Sequence, residues 1–144
     1  MKGYEEKTMR SKGLYARAGK VLPAGVSYAI RDITPHPFYI AEAKGAKLTD
    51  VDGNVYTDYW MGHGALILGH APERVVEAVA EQIQKGTHYG FAHELEVRLA
   101  ERVVEMIPSA EMLRYTSSGT EASMYASRLA RAFTGRDRMV KIEG

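Results

Sequence analysis

The last third of the chain constrains the fold most. Met112-Leu113-Arg114-Tyr115-Thr116 reads as a short strand that runs through Ser117-Ser118-Gly119-Thr120 straight into a helix. On that helix Ala122, Tyr125, Ala126, Leu129, Ala130 and Phe133 recur at the spacing of one face. Gly135 is placed to take the left-handed conformation that ends a helix, and Arg138 to Ile142 resumes as a strand. Strand, helix and strand within about thirty residues predict a βαβ unit with a right-handed crossover and a parallel sheet. The expected class is therefore α/β.

Upstream, Tyr4 to Lys20 favours helix until Pro23-Ala24-Gly25 ends it. Phe38 to Ala43, Ala46 to Thr49 and Val55 to Tyr59 read as strands, with turns at Lys44-Gly45 and Asp52-Gly53-Asn54, and so predict a small antiparallel meander. After the glycine-rich stretch Gly62 to Gly69, Pro72 suits a first helical turn ahead of Val76, Val79, Ala80 and Ile83, and Gly86 closes that helix. A second amphipathic helix is expected from about His93 to Ile107, stopped by Pro108.

Composition narrows the classes of function. With 144 residues, 45% hydrophobic, the chain is long enough for one domain with a real core. A formal charge of +1 offers no bulk field for nucleic acid or anionic lipid. The absence of cysteine excludes disulfides, thiolate catalysis and cysteine-based metal sites, and fits a reducing compartment, so a cytoplasmic location is expected. The longest apolar stretch, Ala65 to Leu68, falls far short of the roughly 20 residues that span a bilayer, and Met1 to Lys12 lacks the apolar middle of a secretory signal. Neither membrane nor export is expected.

Ser117 to Glu121 lies at the carboxyl end of a predicted strand and the amino end of a predicted helix, where open parallel sheets place ligands and where backbone N–H groups lack partners. Two readings fit: the hydroxyls cap the helix, as at many helices that bind nothing, or Ser118, Gly119 and Thr120 hold an anion. A nucleoside-triphosphate loop is excluded, because no lysine follows Gly119. The five histidines show no His-Glu-x-x-His spacing, and Asp50 to Asn54 lacks the glycine and the twelfth-position glutamate of a calcium loop, so no metal site is expected and Asp50 to Asn54 is read as a hairpin turn. Dense glycine at Gly62-His63-Gly64 and Gly69-His70 points either to backbone passing close to something bulky, a ligand or a neighbouring subunit, or to a flexible connection. Arg31 carries a planar fork suited to a carboxylate, although most such arginines are simply solvated.

These pieces in this order resemble the class III, fold-type I pyridoxal-phosphate enzymes, and within them the glutamate-1-semialdehyde 2,1-aminomutase branch. The likeness rests on Pro23-Ala24-Gly25-Val26 through Arg31, on Asp50-Val51-Asp52-Gly53 to Asp58-Tyr59, on Ile67-Leu68-Gly69-His70, and on Ser118-Gly119-Thr120-Glu121-Ala122 to Asp137. It implies Ser118, Gly119 and Thr120 as ligands of the phosphate of pyridoxal 5'-phosphate, which cycles through a pyridoxamine 5'-phosphate form. It further implies residues 1–65 as an N-terminal arm and small-domain segment, and 66–144 as the incomplete beginning of the cofactor-binding large domain. The family's Schiff-base lysine and pyridinium aspartate lie downstream of the phosphate turn, so no catalytic residue is assigned in this chain, which is expected to be a fragment and inactive alone.

Three positions depart from the aminomutase pattern. Tyr28 stands where a small serine is usual, His63 where tryptophan is usual, and Ser117 where asparagine precedes the Ser-Gly-Thr turn. With Arg31 kept, the resemblance implies a small amino-acid-like substrate clamped by Arg31 and shaped by Tyr28 and His63. A transaminase for another amino acid or amine, and a non-catalytic anion-binding or assembly fragment, stand as alternatives. The family also implies a homodimer in which Thr87 to Gly90 reaches across; the uncovered edges expected of a fragment's two parallel strands point to a second polypeptide carrying the rest of the enzyme.

Overall fold

The computed structural model describes residues 2–143. They fall into two compact units, residues 2–87 and 88–143.

In the first unit the helix expected from Tyr4 to Lys20 is two helices, α1 (Lys2–Lys7) and α2 (Met9–Ala18), broken at Thr8. The break has a physical cause. Thr8 is 1% exposed, and its hydroxyl donates to Tyr4 O at 2.6 Å and meets His36 Nε2 at 3.0 Å, which turns the residue inward at φ −128°. No side chain of α2's own first turn caps it; instead Asp52 accepts from the Arg10 amide at 2.6 Å and the Ser11 amide at 3.0 Å, a cap delivered from some forty residues away. Two single 3-10 turns follow, Pro23–Gly25 and Ala29–Arg31.

The meander forms as expected: β1 (Ile40–Lys44), β2 (Lys47–Asp50) and β3 (Val55–Thr57) pair antiparallel in that order, with Ala43 opposite Leu48 and Leu48 opposite Tyr56. Asp50 shapes the β2–β3 turn. It is 2% exposed, and its carboxylate accepts from the amides of Asp52 and Asn54, from Asn54 Nδ2 and from the Tyr56 hydroxyl, all within 3.0 Å. Helix α3 (Glu73–Ile83) starts behind Pro72, as the sequence predicts.

In the second unit α4 (Glu94–Met106) opens on a capping box: His93 Nδ1 accepts from the Leu95 amide and Glu96 accepts from the His93 amide. Helix α5 (Gly119–Thr134) ends on Gly135 at φ 67°, the left-handed cap expected of it. The segments 112–116 and 138–142 are a correction: neither pairs as a strand among the described residues. A strand exists only through its ladder partners, and these two segments find none in each other. Residues 112–116 are held by side chains instead, Tyr115 donating to Glu96 O at 2.7 Å and the Arg114 guanidinium lying 5.0 Å from the centre of the Tyr125 ring.

A second correction concerns the core. Apart from Pro37, no apolar side chain among the described residues is buried, and the most buried polar groups are Thr8, Ser11, His36 and Asp50. The predicted apolar faces exist, yet Val79 on α3 and Leu99 on α4 are more than half exposed and Phe133 on α5 is 89% exposed. Amphipathic helices acquire a core only when another apolar face packs on them.

Candidate functional site

Three groups of residues are candidates, each described within its own unit. The first is the start of α5. Ser118 is the N-cap, with φ −154° and ψ 158°, and its Oγ accepts from the Glu121 amide at 3.2 Å. Glu121 reaches back to accept from the Ser117 amide at 2.7 Å, and the Thr116 hydroxyl donates to Ser118 O at 3.1 Å. These bonds leave the amides of Ser118, Gly119 and Thr120 without an acceptor among the described residues. A Cβ built on Gly119 would meet nothing within 4 Å. Three free amides, with the Ser118 and Thr120 hydroxyls, thus lie at the positive end of a 16-residue helix, beside a glycine with open space next to it. A doubly charged phosphate fits this donor set. The turn is exposed, so the groups that would exclude water from it lie outside the turn itself.

The second group belongs to the first unit. Tyr28 immediately precedes the 3-10 turn that carries Arg31, and its ring centre lies 6.0 Å from that of His63, which packs T-shaped with Trp60 at 5.1 Å between ring centres. Arg31 Nη1 donates to Ser27 Oγ at 3.1 Å, which holds the side chain while leaving the remaining guanidinium donors uncommitted among the described residues.

The third group escapes any motif reading of the sequence. Asp58 Oδ2 accepts from His70 Nε2 at 2.7 Å while Oδ1 accepts from the Trp60 and Met61 amides at 2.7 and 3.0 Å. The His70 hydrogen bond, followed by the Met61 amide, holds the Asp58 carboxyl below its ordinary range, against a smaller opposing effect of burial. The signal was present in Asp58-Tyr59 and Gly69-His70, but nothing in their spacing says that the two side chains meet. Between them the backbone makes a left-handed turn, with Met61, Gly62, His63 and Gly64 at φ 49°, 60°, 65° and 78°. The ligand or neighbouring subunit expected beside these glycines is corrected at Gly69: a Cβ there would stand 3.1 Å from the Gly45 backbone, so the close neighbour is this chain's own strand turn.

Among the described residues no group of three or more metal-ligating side chains gathers, and no helix is long and apolar enough to cross a membrane. Asp50 to Asn54 is a hairpin turn.

Comparison with known proteins places the fold and the family. The crystal structure of an omega-transaminase from Sphaerobacter thermophilus matches with a TM-score of 0.86 at 40% identity, over 90% of this chain and 30% of that one. A beta-phenylalanine aminotransferase from Variovorax paradoxus matches with a TM-score of 0.88 at 33% identity, over 94% and 31%. The fold is thus the N-terminal part of a fold-type I transaminase, mixed α/β with a small antiparallel sheet. In sequence, 136 residues are 58% identical to the glutamate-1-semialdehyde 2,1-aminomutase of Methanothermobacter thermautotrophicus, covering 94% of this chain and 32% of that protein. The profile of the class-III aminotransferases matches residues 28–144, and the chain belongs to that family. It spans about a third of the length of the curated relatives it matches.

Proposed function

We propose that this chain is the phosphate-holding and substrate-facing N-terminal portion of a pyridoxal-phosphate-dependent aminotransferase or aminomutase that moves an amino group on a small amino-acid-like substrate. The observation that carries the proposal is the start of α5, where the amides of Ser118, Gly119 and Thr120 stand free beside two hydroxyls at an unobstructed glycine. There Gly119 and Thr120 hold the cofactor's phosphate through main-chain N–H groups, and the Ser118 and Thr120 hydroxyls donate to its oxygens. Ser118 Oγ serves twice, because accepting from Glu121 leaves its own proton to donate. When bound, the cofactor supplies the electron sink that weakens bonds at the substrate's Cα. Arg31 orients a substrate carboxylate through its fork, and Tyr28 and His63 shape what lies beside it.

The rest of the reading follows the same division. Residues 1–65 serve as arm and small-domain segment, and 66–144 open the large domain. The catalytic lysine is supplied by sequence outside these 144 residues, so this chain alone is inactive. The working enzyme is a cytoplasmic homodimer in which Thr87 to Gly90 approaches the neighbouring subunit, or an assembly with a second polypeptide.

The test uses the complete enzyme and compares pyridoxal 5'-phosphate with pyridoxal, which lacks the phosphate. Removing both hydroxyls in S118A/T120V is expected to weaken binding of the phosphorylated cofactor roughly 100-fold or more, since each of the two charge-assisted hydrogen bonds contributes about 1.5–3 kcal/mol, and to leave pyridoxal binding unchanged. Equal weakening of both compounds, or of neither, would remove the phosphate assignment.

A second reading, a transaminase with another amino donor, is favoured by one observation. The Tyr28–His63 contact with Trp60 at its edge puts aromatic surface beside Arg31's turn, where the aminomutase branch resembled by the sequence has serine and tryptophan. Conversion of glutamate 1-semialdehyde to 5-aminolevulinate without a second substrate supports the aminomutase; an obligatory second substrate supports the transaminase.

A further inference from the structure

The segment from Tyr59 to Gly69 is a loop closed on itself by one carboxylate. Asp58 ties its beginning, through the Trp60 and Met61 amides, and its end, through His70 Nε2. Its closing residue is fixed a second time by backbone: Gly45 and His70 exchange two N–H to O bonds of 2.8 Å each, a bridge that requires the close approach of Gly69 to Gly45. Asp58 and His70 are largely withdrawn from water, with side chains 7% and 18% exposed, so solvent competes little for their hydrogen bond.

What the closed loop carries is a strained element. Trp60 O accepts from the Gly64 amide at 2.8 Å across the left-handed turn, and two of its residues, Met61 and His63, are not glycine. L-residues leave that conformation readily, and it persists only where the surroundings over-determine it. Here the determinant is visible: the Asp58 carboxylate holds the first two amides of the turn. The same turn delivers His63 to Tyr28 and Trp60 to His63.

We propose that Asp58 and His70 are positioning residues for the substrate side of the site: they clasp both ends of loop 59–70 and so hold the left-handed turn that sets His63 against Tyr28. The proposal rests on the reading of Tyr28 and His63 as substrate-facing and deepens it, because substrate fit then depends on two side chains that never touch the substrate. Neither residue transfers a proton in this role.

The experiment uses the complete, cofactor-loaded enzyme with glutamate 1-semialdehyde and β-phenylalanine as probes. H63A and Y28F read the substrate assignment directly; D58A, H70A and H70Q read the clasp. The expected result is that D58A and H70A raise KM for the probe turned over by roughly tenfold, while kcat and bound cofactor change by less than about twofold. H70Q, which returns an N–H at the ε position, is expected to recover most of the loss. In the double variant D58A/H63A the clasp mutation is expected to add nothing to KM, since the loop no longer has His63 to place. Should D58A and H70A lower thermal stability while KM stays unchanged, the clasp is structural only and the proposal falls, with the substrate reading still standing on H63A and Y28F. Should H63A and Y28F leave KM unchanged for both probes, the substrate reading falls first and takes the proposal with it. If D58A does not fold, the comparison of H70A with H70Q decides alone.

Discussion

Replacing Asp50 by asparagine tests the claim that polar bonding, not an apolar core, holds the N-terminal arm to the meander. The carboxylate is 2% exposed and accepts four hydrogen bonds, two at each oxygen. In D50N the remaining oxygen keeps the Asp52 and Asn54 amides but loses charge assistance, worth about 1 kcal/mol per bond. The new amide nitrogen faces Asn54 Nδ2, donor against donor, and only the Tyr56 hydroxyl can reverse its role to accept. The sum is about 3 kcal/mol, or roughly 150-fold in local opening. Hydrogen exchange of peptides covering residues 2–18 and 47–57 in the complete enzyme reads that factor, with α5 as the internal control. Because Asn54 Nδ2 also donates to Lys7 O at 2.9 Å, both peptides are expected to respond together. Acceleration below about threefold, or confined to the hairpin, would refute the argument. A cycle with Y56F should show coupling, since D50N reverses and weakens the bond that Y56F removes.

Further outcomes follow from the same geometry. Burial pushes the Asp50 carboxyl up, but its bonds from the Asn54 side chain and amide, the Tyr56 hydroxyl and the Asp52 amide outweigh it and hold it below the usual range. A depressed carboxyl stabilises above its unfolded value, so docking of the arm is expected to weaken as pH falls below about 4, and D50N should flatten that acid limb in a denaturation series. Tyr56 is pushed from 10.0 up to about 12 by burial first and then by the Asp50 carboxylate; its contribution is present below pH about 10 and lost as pH rises towards 12. G25A should destabilise the arm by about 2 kcal/mol or more, because Gly25 sits at φ 70° and a Cβ would lie 2.6 Å from the Tyr15 ring; an unchanged melting temperature would contradict this. M61G should be neutral or stabilising by up to about 1 kcal/mol, as relief of the left-handed backbone outweighs the extra freedom of the unfolded chain; clear destabilisation would show that the turn is unstrained.

Local patterns were legible in the sequence because their causes are local. The Asp-Gly hairpin, the helix behind Pro72, the amphipathic run ahead of Pro108 and the left-handed cap at Gly135 each depend on residues within a few positions of one another, and each appears as read. The capping function of Ser118 was legible for the same reason. The break at Thr8 was not, because it depends on His36, nor was the Asp52 cap on α2, whose partners lie about forty residues away.

The two strands flanking α5 show the converse. Their composition is that of strands, but extended backbone becomes sheet only against a neighbour, and segments 112–116 and 138–142 have none among the described residues. By itself the sequence determined most helix starts and stops and which faces are apolar, and it left the turn at Gly119 open between a helix cap and an anion site; that three amides there are free only the structure decided. Only the tertiary structure decided that Asp58 meets His70, that a turn of left-handed backbone carries His63 to Tyr28, and that the buried groups, Pro37 apart, are polar. The physical reason is range: capping and periodicity act over one or two turns of chain, whereas burial and long-range hydrogen bonds depend on which distant groups the fold brings within about 3 Å.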